Sequence, residues 1–294
     1  MRTLLPILLA TAVAGLAPTA LAATPKAADL LKRSAAALEK KDGLHIEAAV
    51  KATAQSDGSL TEAQIKKLFP PTEITLKGDV SQKTIVVAAS MVTGEEVLAG
   101  ELRTSGAELY VKFGGAWYGT KNTKAKGSGL TIDASPKQLS GSVSDLLRSG
   151  LEVKVAEGPK VDGVATWELT GTFDPKAMAK LTKKSGADTG SIDLTQLAGK
   201  TDVTLLIGRD DSLLRRIEIV STLAPKDITA ADSSTGGILP LPASGAKGLK
   251  SETISVIITL SRFGEKIPFE RPAALKPLDK LFEELLGGLN TKTK

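Results

Sequence analysis

Between Leu44 and Thr53 apolar and polar residues alternate. Leu44, Ile46, Ala48 and Val50 share one face, while His45, Glu47, Lys51 and Thr53 fall largely on the other. That period of two predicts a half-buried strand. The preceding segment, Lys26 to Asp42, has a different rhythm. Ala28, Leu31, Ala35 and Leu38 recur at three- and four-residue steps, which predicts a helix, with Gly43 placed to end it in a left-handed conformation. Ser59 and Glu62 stand at capping-box spacing before a short helix through Leu68, which Pro70-Pro71 terminates.

From Thr72 the pattern predicts an antiparallel meander. Ile74, Leu76 and Val80, then Ile85, Val87 and Ala89, then Val97 to Leu102, then Leu109 to Phe113 alternate with polar residues. Asp79 to Gln82, Thr93-Gly94, Ser105-Gly106 and Gly114-Gly115 supply the turns. A helix over Ser142–Ser149, carrying Val143, Leu146 and Leu147 on one face, precedes strands Leu151–Ala156 and Val164–Phe173. Asp174-Pro175 opens a further helix that runs to Gly186, and Leu194 and Leu197 mark a short one. A hairpin follows over Thr201–Gly208 and Leu214–Leu223, then a strand over Thr253–Phe263 and a last helix from Pro277 to Leu286. The sum is about eleven strands, mostly antiparallel, and roughly five or six helices. No linker cuts the chain, so residues 23–294 read as one α+β domain. Between the last two strands, Ala224 to Lys250 is rich in Pro, Gly, Ser and Ala around an apolar tip, Ile238, Leu239 and Leu241. An insertion of that length reads as a functional lid.

Composition removes much chemistry. The 294 residues contain no Cys and one His, so disulfides, thiolate metal sites, Cys nucleophiles and a lipid-modified N-terminal Cys are excluded. No metal site and no cofactor motif is read. Gly114 to Lys121 lacks a Gly-Lys-Ser/Thr ending, and neither G-x-G-x-x-G after a strand nor G-x-S-x-G occurs. His45 has no evident triad partner, so no catalytic residue is assigned. Asp210-Asp211 and Arg215-Arg216 flank a turn and read as solvated charges. Net charge is +5 from 38 basic and 33 acidic residues, with signs interleaved and only 3% aromatics. That is not the basic stripe with stacking aromatics that nucleic acids require. Lys121, Lys124 and Lys126 form a basic loop suited to transient contact with phospholipid headgroups, or simply solvated.

The first 22 residues have the order of a secretory signal: Met1-Arg2-Thr3, an apolar run from Leu4 to Leu16, and Ala20-Leu21-Ala22 as a cleavage site. The mature chain is therefore expected to be secreted or periplasmic, and not lipid-anchored, because the residue after the cleavage site is Ala23.

One stretch resembles a known family. Asp145-Leu146-Leu147 on a helix, Val161-Asp162-Gly163-Val164, Trp167 to Thr172, the strand Val203–Ile207, the turn Gly208 to Asp211 and the strand Arg216–Ser221 occur in an order similar to the mycobacterial LppX/LprG lipoproteins, whose fold is similar to the LolA/LolB carriers. Gly43 to Glu47 and Phe263 to Pro268 match the opening and closing segments, so the resemblance spans residues 26 to 272. It implies one highly curved antiparallel sheet, an incomplete barrel with helices plugging the concave side, around an apolar cavity for an acylated lipid or glycolipid. The family's lipidated Cys is missing, which implies a freely diffusing carrier.

The aliphatic positions suit that reading, since small linings leave a void that aromatics would fill. The expected lining is Ile46, Ala48, Val50, Ile74, Leu76, Ile85, Val87, Leu109, Val111, Ile217, Ile219, Ile254, Val256 and Ile258, with Leu146 and Leu147 from the helix. Trp117 and Tyr118 suit either a cavity mouth or a packed hairpin end. The expected function is non-enzymatic binding and transport of an acylated lipid or lipoprotein. An envelope sensor that binds another protein and a secreted hydrolase dependent on His45 are the alternatives.

Overall fold

The structure, a computed structural model, describes residues 24–120, 135–148, 153–173, 199–223 and 248–281. Helix α1 (Ala27–Glu39) is followed by β1 (Gly43–Ser56), α2 (Glu62–Leu68), β2 (Thr72–Ser81), β3 (Thr84–Thr93), β4 (Glu96–Ser105), β5 (Glu108–Phe113) and β6 (Ala116–Thr120). Then come α3 (Pro136–Arg148), β7 (Val153–Val161), β8 (Val164–Phe173), β9 (Gly199–Gly208), β10 (Leu214–Leu223), β11 (Leu249–Ser261) and the two-residue β12 (Lys276–Pro277). These strands form one open, curved, 12-stranded sheet in the order β12-β6-β5-β4-β3-β2-β1-β11-β10-β9-β8-β7. It consists of two sequential meanders joined where β1 pairs antiparallel with β11. Only β12 on β6 is parallel, and so short a strand blunts that edge against pairing with other chains.

The hairpin turns sit where glycine permits a positive φ: Gly94, Gly106, the Gly114-Gly115 pair and Gly163. Four local expectations shift. The first helix stops at Glu39 with Lys40 as a right-handed C-cap, and Gly43 opens β1 instead of ending the helix. The reason for glycine at 43 is close approach, because an added Cβ would lie 3.3 Å from Val80 O and 3.4 Å from Glu265 O. The cap of α2 is Thr61, paired with Gln64 in a capping box, and not Ser59 with Glu62. Ser59 is instead held in the preceding turn, where its N–H donates to Asp57 Oδ1 at 2.8 Å. Finally, α3 begins at Pro136, ahead of the expected Ser142, and β7 runs on to Val161.

Helices α1, α2 and α3 pack on one face of the sheet. Leu30, Leu31, Ala35 and Leu38 of α1, with Val143 of α3, join Leu44, Ile46, Val80, Leu169, Leu205 and Ile207 in the larger core. Ile65 of α2 forms a second, smaller core with Leu249, Ile254 and Val256 at the opposite ends of the central strands. Ile219 and Ile258 pack against both. The helices therefore cover the two ends of the concave face. The expected helices at 174–186 and near Leu194, the basic loop with Lys121, Lys124 and Lys126, and the apolar tip Ile238, Leu239 and Leu241 lie outside the described residues. Of the last helix only residues 278–281 are described, and they are helical, with Leu281 buried.

Candidate functional site

Register decides which residues look inward. Side chains directly opposite in neighbouring strands share a face, so three cross-strand rows can be traced over the concave side. One row runs Leu260–Ile46–Gly78–Val87–Leu102–Val111–Tyr118. The next runs Leu205–Ile217–Ile258–Ala48–Leu76–Ala89–Gly100–Phe113. A third runs Val203–Ile219–Val256–Val50–Ile74–Met91–Leu98. All fourteen expected strand positions fall on this one face, with Ile85 opposite Val80, Leu109 opposite Thr104 beside it, and Ile254 opposite Ala52.

Their burial divides them. Ile46, Val87, Ile254 and Val256 are buried in the two cores, whereas Ala48, Val50, Ile74, Leu76, Ile85, Leu109, Val111, Ile217, Ile219 and Ile258 are half-buried. Half-burial of aliphatic groups on the concave side means that, among the described residues, the helices cap its ends without filling its middle. The middle row explains the space. At Ala48, Ala89 and Gly100 it carries almost no side chain, with Leu76 standing between Ala48 and Ala89, while the flanking rows carry Ile46, Gly78, Val87 and Leu102 on one side and Val50, Ile74, Met91 and Leu98 on the other. Those flanks lie four residues apart along each strand, about 13 Å. The result is a furrow across β1 to β4 with aliphatic walls, narrowed on β2, where Leu76 rises from its floor and Gly78 leaves a gap in one wall. Ala89, Gly100, Leu102, Met91 and Leu98 were not among the expected positions. Gly100 within the alternating run Val97 to Leu102 is the sequence signal that marks a missing side chain there.

Trp117 departs from the expectation. The Gly114-Gly115 turn sets Phe113 opposite Ala116, so Trp117 faces outward opposite Lys112 and Tyr118 faces inward. On the convex side two cations lie over the indole, with Arg103 Cζ 4.7 Å and Lys112 Nζ 5.7 Å from its ring centre. The backbone of α3 includes Leu146 and Leu147, but their side chains lie outside the described residues.

The convex face also carries His45. Its Nδ1 is 2.7 Å from Asp79 Oδ1 and its Nε2 3.4 Å from Glu47 Oε1. Arg262 Nη2 donates to Asp79 Oδ1 at 2.6 Å and also touches Nδ1. Hydrogen bonds from Lys77 first, and then from His45, hold the Glu47 carboxyl below the usual carboxylate range. Ser261 is the cross-strand neighbour of His45, which sets Ser, His and Asp in one row. Nε2 is nevertheless directed at Glu47, and no hydrogen bond joins it to Ser261, so the relay a hydrolase needs is not assembled. Asp211 works as a turn former: Oδ1 accepts from Leu213 N at 3.0 Å, and Oδ2 pairs with Arg215. Among the described residues no three His, Asp or Glu side chains converge on a metal position.

From the end of β11 the chain crosses the convex side as a strap. Phe269 packs on Tyr110 with ring centres 6.1 Å apart, Arg103 donates to Glu270 O at 2.9 Å, and Arg271 grips Glu108 with two nitrogens, the shortest contact being 2.7 Å. The strap's end is β12, where Lys276 Nζ lies 3.4 Å from Tyr118 OH. One polar group stands out on the concave side. Glu252, beside Leu223 and Ala54 in register, has no hydrogen-bond or ion-pair partner among the described residues, and burial raises its pKa.

No protein-family model matches the sequence, and no curated protein matches it. Among solved structures the fold is similar to the lipoprotein LppX of Mycobacterium tuberculosis, at 18% identity over 83% of this chain and 97% of that one, with a TM-score of 0.41. It is similar to LprF from Mycobacterium bovis at 16% identity over 85% and 100%, with a TM-score of 0.43. A LolA-superfamily protein from Nitrosomonas europaea gives 11% identity over 88% and 97%, with a TM-score of 0.21. Likenesses at this level leave the reading of the site to the chain's own residues. No helix among the described residues is long and apolar enough to cross a membrane.

Proposed function

We propose that the furrow holds the acyl chains of a lipid or lipoprotein, and that the protein is a non-enzymatic carrier of such molecules outside the cytoplasmic membrane, exported by its first 22 residues. The supporting observation is the half-buried aliphatic middle of the concave face, with small residues at Ala48 on one side of Leu76 and at Ala89 and Gly100 on the other. Hydrocarbon needs no directional partner. Each methylene taken from water contributes about 0.8 kcal/mol, so a 16-carbon chain gains on the order of 10 kcal/mol before ordering costs. A face of Ile, Val, Leu and Ala supplies that burial and offers no reactive group.

The test is organic extraction of the purified protein followed by mass spectrometry, together with uptake of a fluorescent fatty acid by the delipidated protein. Co-purifying acyl lipid and saturable uptake support the reading. A protein that carries no lipid and takes up no acyl probe refutes it.

A further inference from the structure

Five large apolar side chains among the described residues are exposed, and four of them gather at one rim. Leu68 ends α2 with 57% of its surface open, and Val92, Val97 and Leu98 flank the β3–β4 turn at 36%, 63% and 48%. The two pieces form one edge. Gly94 N donates to Pro71 O at 3.3 Å, the hydroxyls of Thr72 and Thr93 are 3.5 Å apart, and a Cβ on Gly94 would meet Pro70 at 3.7 Å.

The hairpin tip is apolar on both sides. Register puts Met91 and Leu98 on the concave face and Val92 and Val97 on the convex one. A sheet with one buried face needs only one apolar side, and a protein partner would cover one side. Apolar groups wrapped around both faces of a tip suit a medium that surrounds it.

The concave half of that tip is also the open end of a continuous row. Ile219, Val256, Val50, Ile74, Met91 and Leu98 are successive cross-strand neighbours. Exposure along the row runs from buried at Val256 to 48% at Leu98. Five strand spacings span about 24 Å, more than the roughly 15 Å of hydrocarbon in one leaflet of a bilayer. From these observations we infer that the α2/β3–β4 rim docks into the surface of a lipid bilayer, and that this row is the path by which an acyl chain passes between bilayer and furrow.

The charges around the rim are mixed, Lys66 and Lys67 on α2 against Glu95 and Glu96 in the turn. Docking therefore rests on apolar insertion and not on anionic headgroups, and salt has little effect on it. The inference rests on the proposed function, so the experiment separates the two. Because the chain has no Cys, V97C and V220C each give one labelling site. Val220 is the fifth exposed apolar residue, 39% open on the convex face of β10. An environment-sensitive fluorophore at position 97 is expected to brighten and shift to the blue on adding phosphatidylcholine vesicles, equally at low and high salt, while the same label at 220 does not respond.

In parallel, the V92E/V97E double variant is expected to take up a monomeric fluorescent fatty acid as the parent does, yet to extract labelled lipid from those vesicles at least tenfold more slowly. Acyl uptake by the parent without any response at position 97, or with unchanged extraction by the variant, overturns the docking inference and leaves the carrier reading standing. Loss of acyl uptake by the parent itself overturns the carrier reading. If the double variant fails to fold, the label at position 97 decides alone.

Discussion

Gly78 is where the curvature of the sheet can be put to a number. It lies on the concave face of β2 between Ile46 and Val87. A Cβ there would fall 2.1 Å from Val86 O, 2.6 Å from Val87 Cα and 2.9 Å from Val86 C. All three are backbone atoms of β3, held in an antiparallel ladder that runs from Thr72–Thr93 to Val80–Ile85. No rotamer change relieves the clash, so β3 must move away from β2 by nearly an ångström and the tight coil of the sheet must open. Overpacking typically costs 1–3 kcal/mol where side chains can adjust. With only backbone to move, Gly78→Ala is expected to cost about 3–4 kcal/mol, a large share of the 5–15 kcal/mol of a typical domain. At roughly 2–4 °C per kcal/mol for a chain of this size, the melting temperature falls by about 6–16 °C. Gly141, on α3 with nothing within 4 Å of an added Cβ, is the control. Gly141→Ala gains about 0.5–1 kcal/mol of helix propensity and raises the melting temperature by about 1–4 °C. Far-UV circular dichroism melts of both variants beside the parent measure the contrast. If Gly78→Ala melts within about 2 °C of the parent, β2 and β3 do not approach as described and the argument for the pinch fails.

Other outcomes follow from the site. Ala48→Phe places a ring in the furrow where it displaces about four methylenes of a bound chain, about 3 kcal/mol, so the affinity for a fluorescent fatty acid should drop on the order of 200-fold with little change in melting temperature. Glu252 has its folded pKa raised by burial, so its ionisation at neutral pH opposes folding. Glu252→Gln should therefore raise the melting temperature at pH 7, and the gain should vanish as the pH falls below the ordinary carboxylate range, where Glu252 is neutral in both folded and unfolded chains. Equal gains at pH 7 and pH 3 would contradict that assignment. Thr61→Ala removes the acceptor that Gln64 N uses at 3.3 Å and should cost about 1 kcal/mol, read as faster hydrogen exchange in α2.

The meander was legible because its signals are local. Alternation picks the inward residue of each strand, and glycine turns at 94, 106 and 114–115 fix how each strand meets the next. The same rule would have resolved Trp117 from Tyr118, since a two-residue turn after an inward Phe113 brings Ala116, and then Tyr118, to the inner side. What local pattern cannot carry is distance in sequence. The pairing of β1 with β11, the pinch at Gly78 and the strap that lays Phe269 on Tyr110 all depend on partners that no short window contains. The cap of α2 failed for another reason. Two overlapping windows, Ser59–Glu62 and Thr61–Gln64, carry the same signal, and the hydrogen bond of Ser59 N to Asp57 chose between them.

The seam between the two meanders also dictates an order of events during biosynthesis. A chain made from its N-terminus completes β1 through β6 as neighbouring hairpins, but the second partner of β1 is synthesised roughly 200 residues later. Until then one whole edge of the longest strand, alternating Leu, Ile, Ala and Val with polar residues, stands ready to recruit any extended polypeptide. Nascent protein interrupted before β11 is thus the species that needs a chaperone.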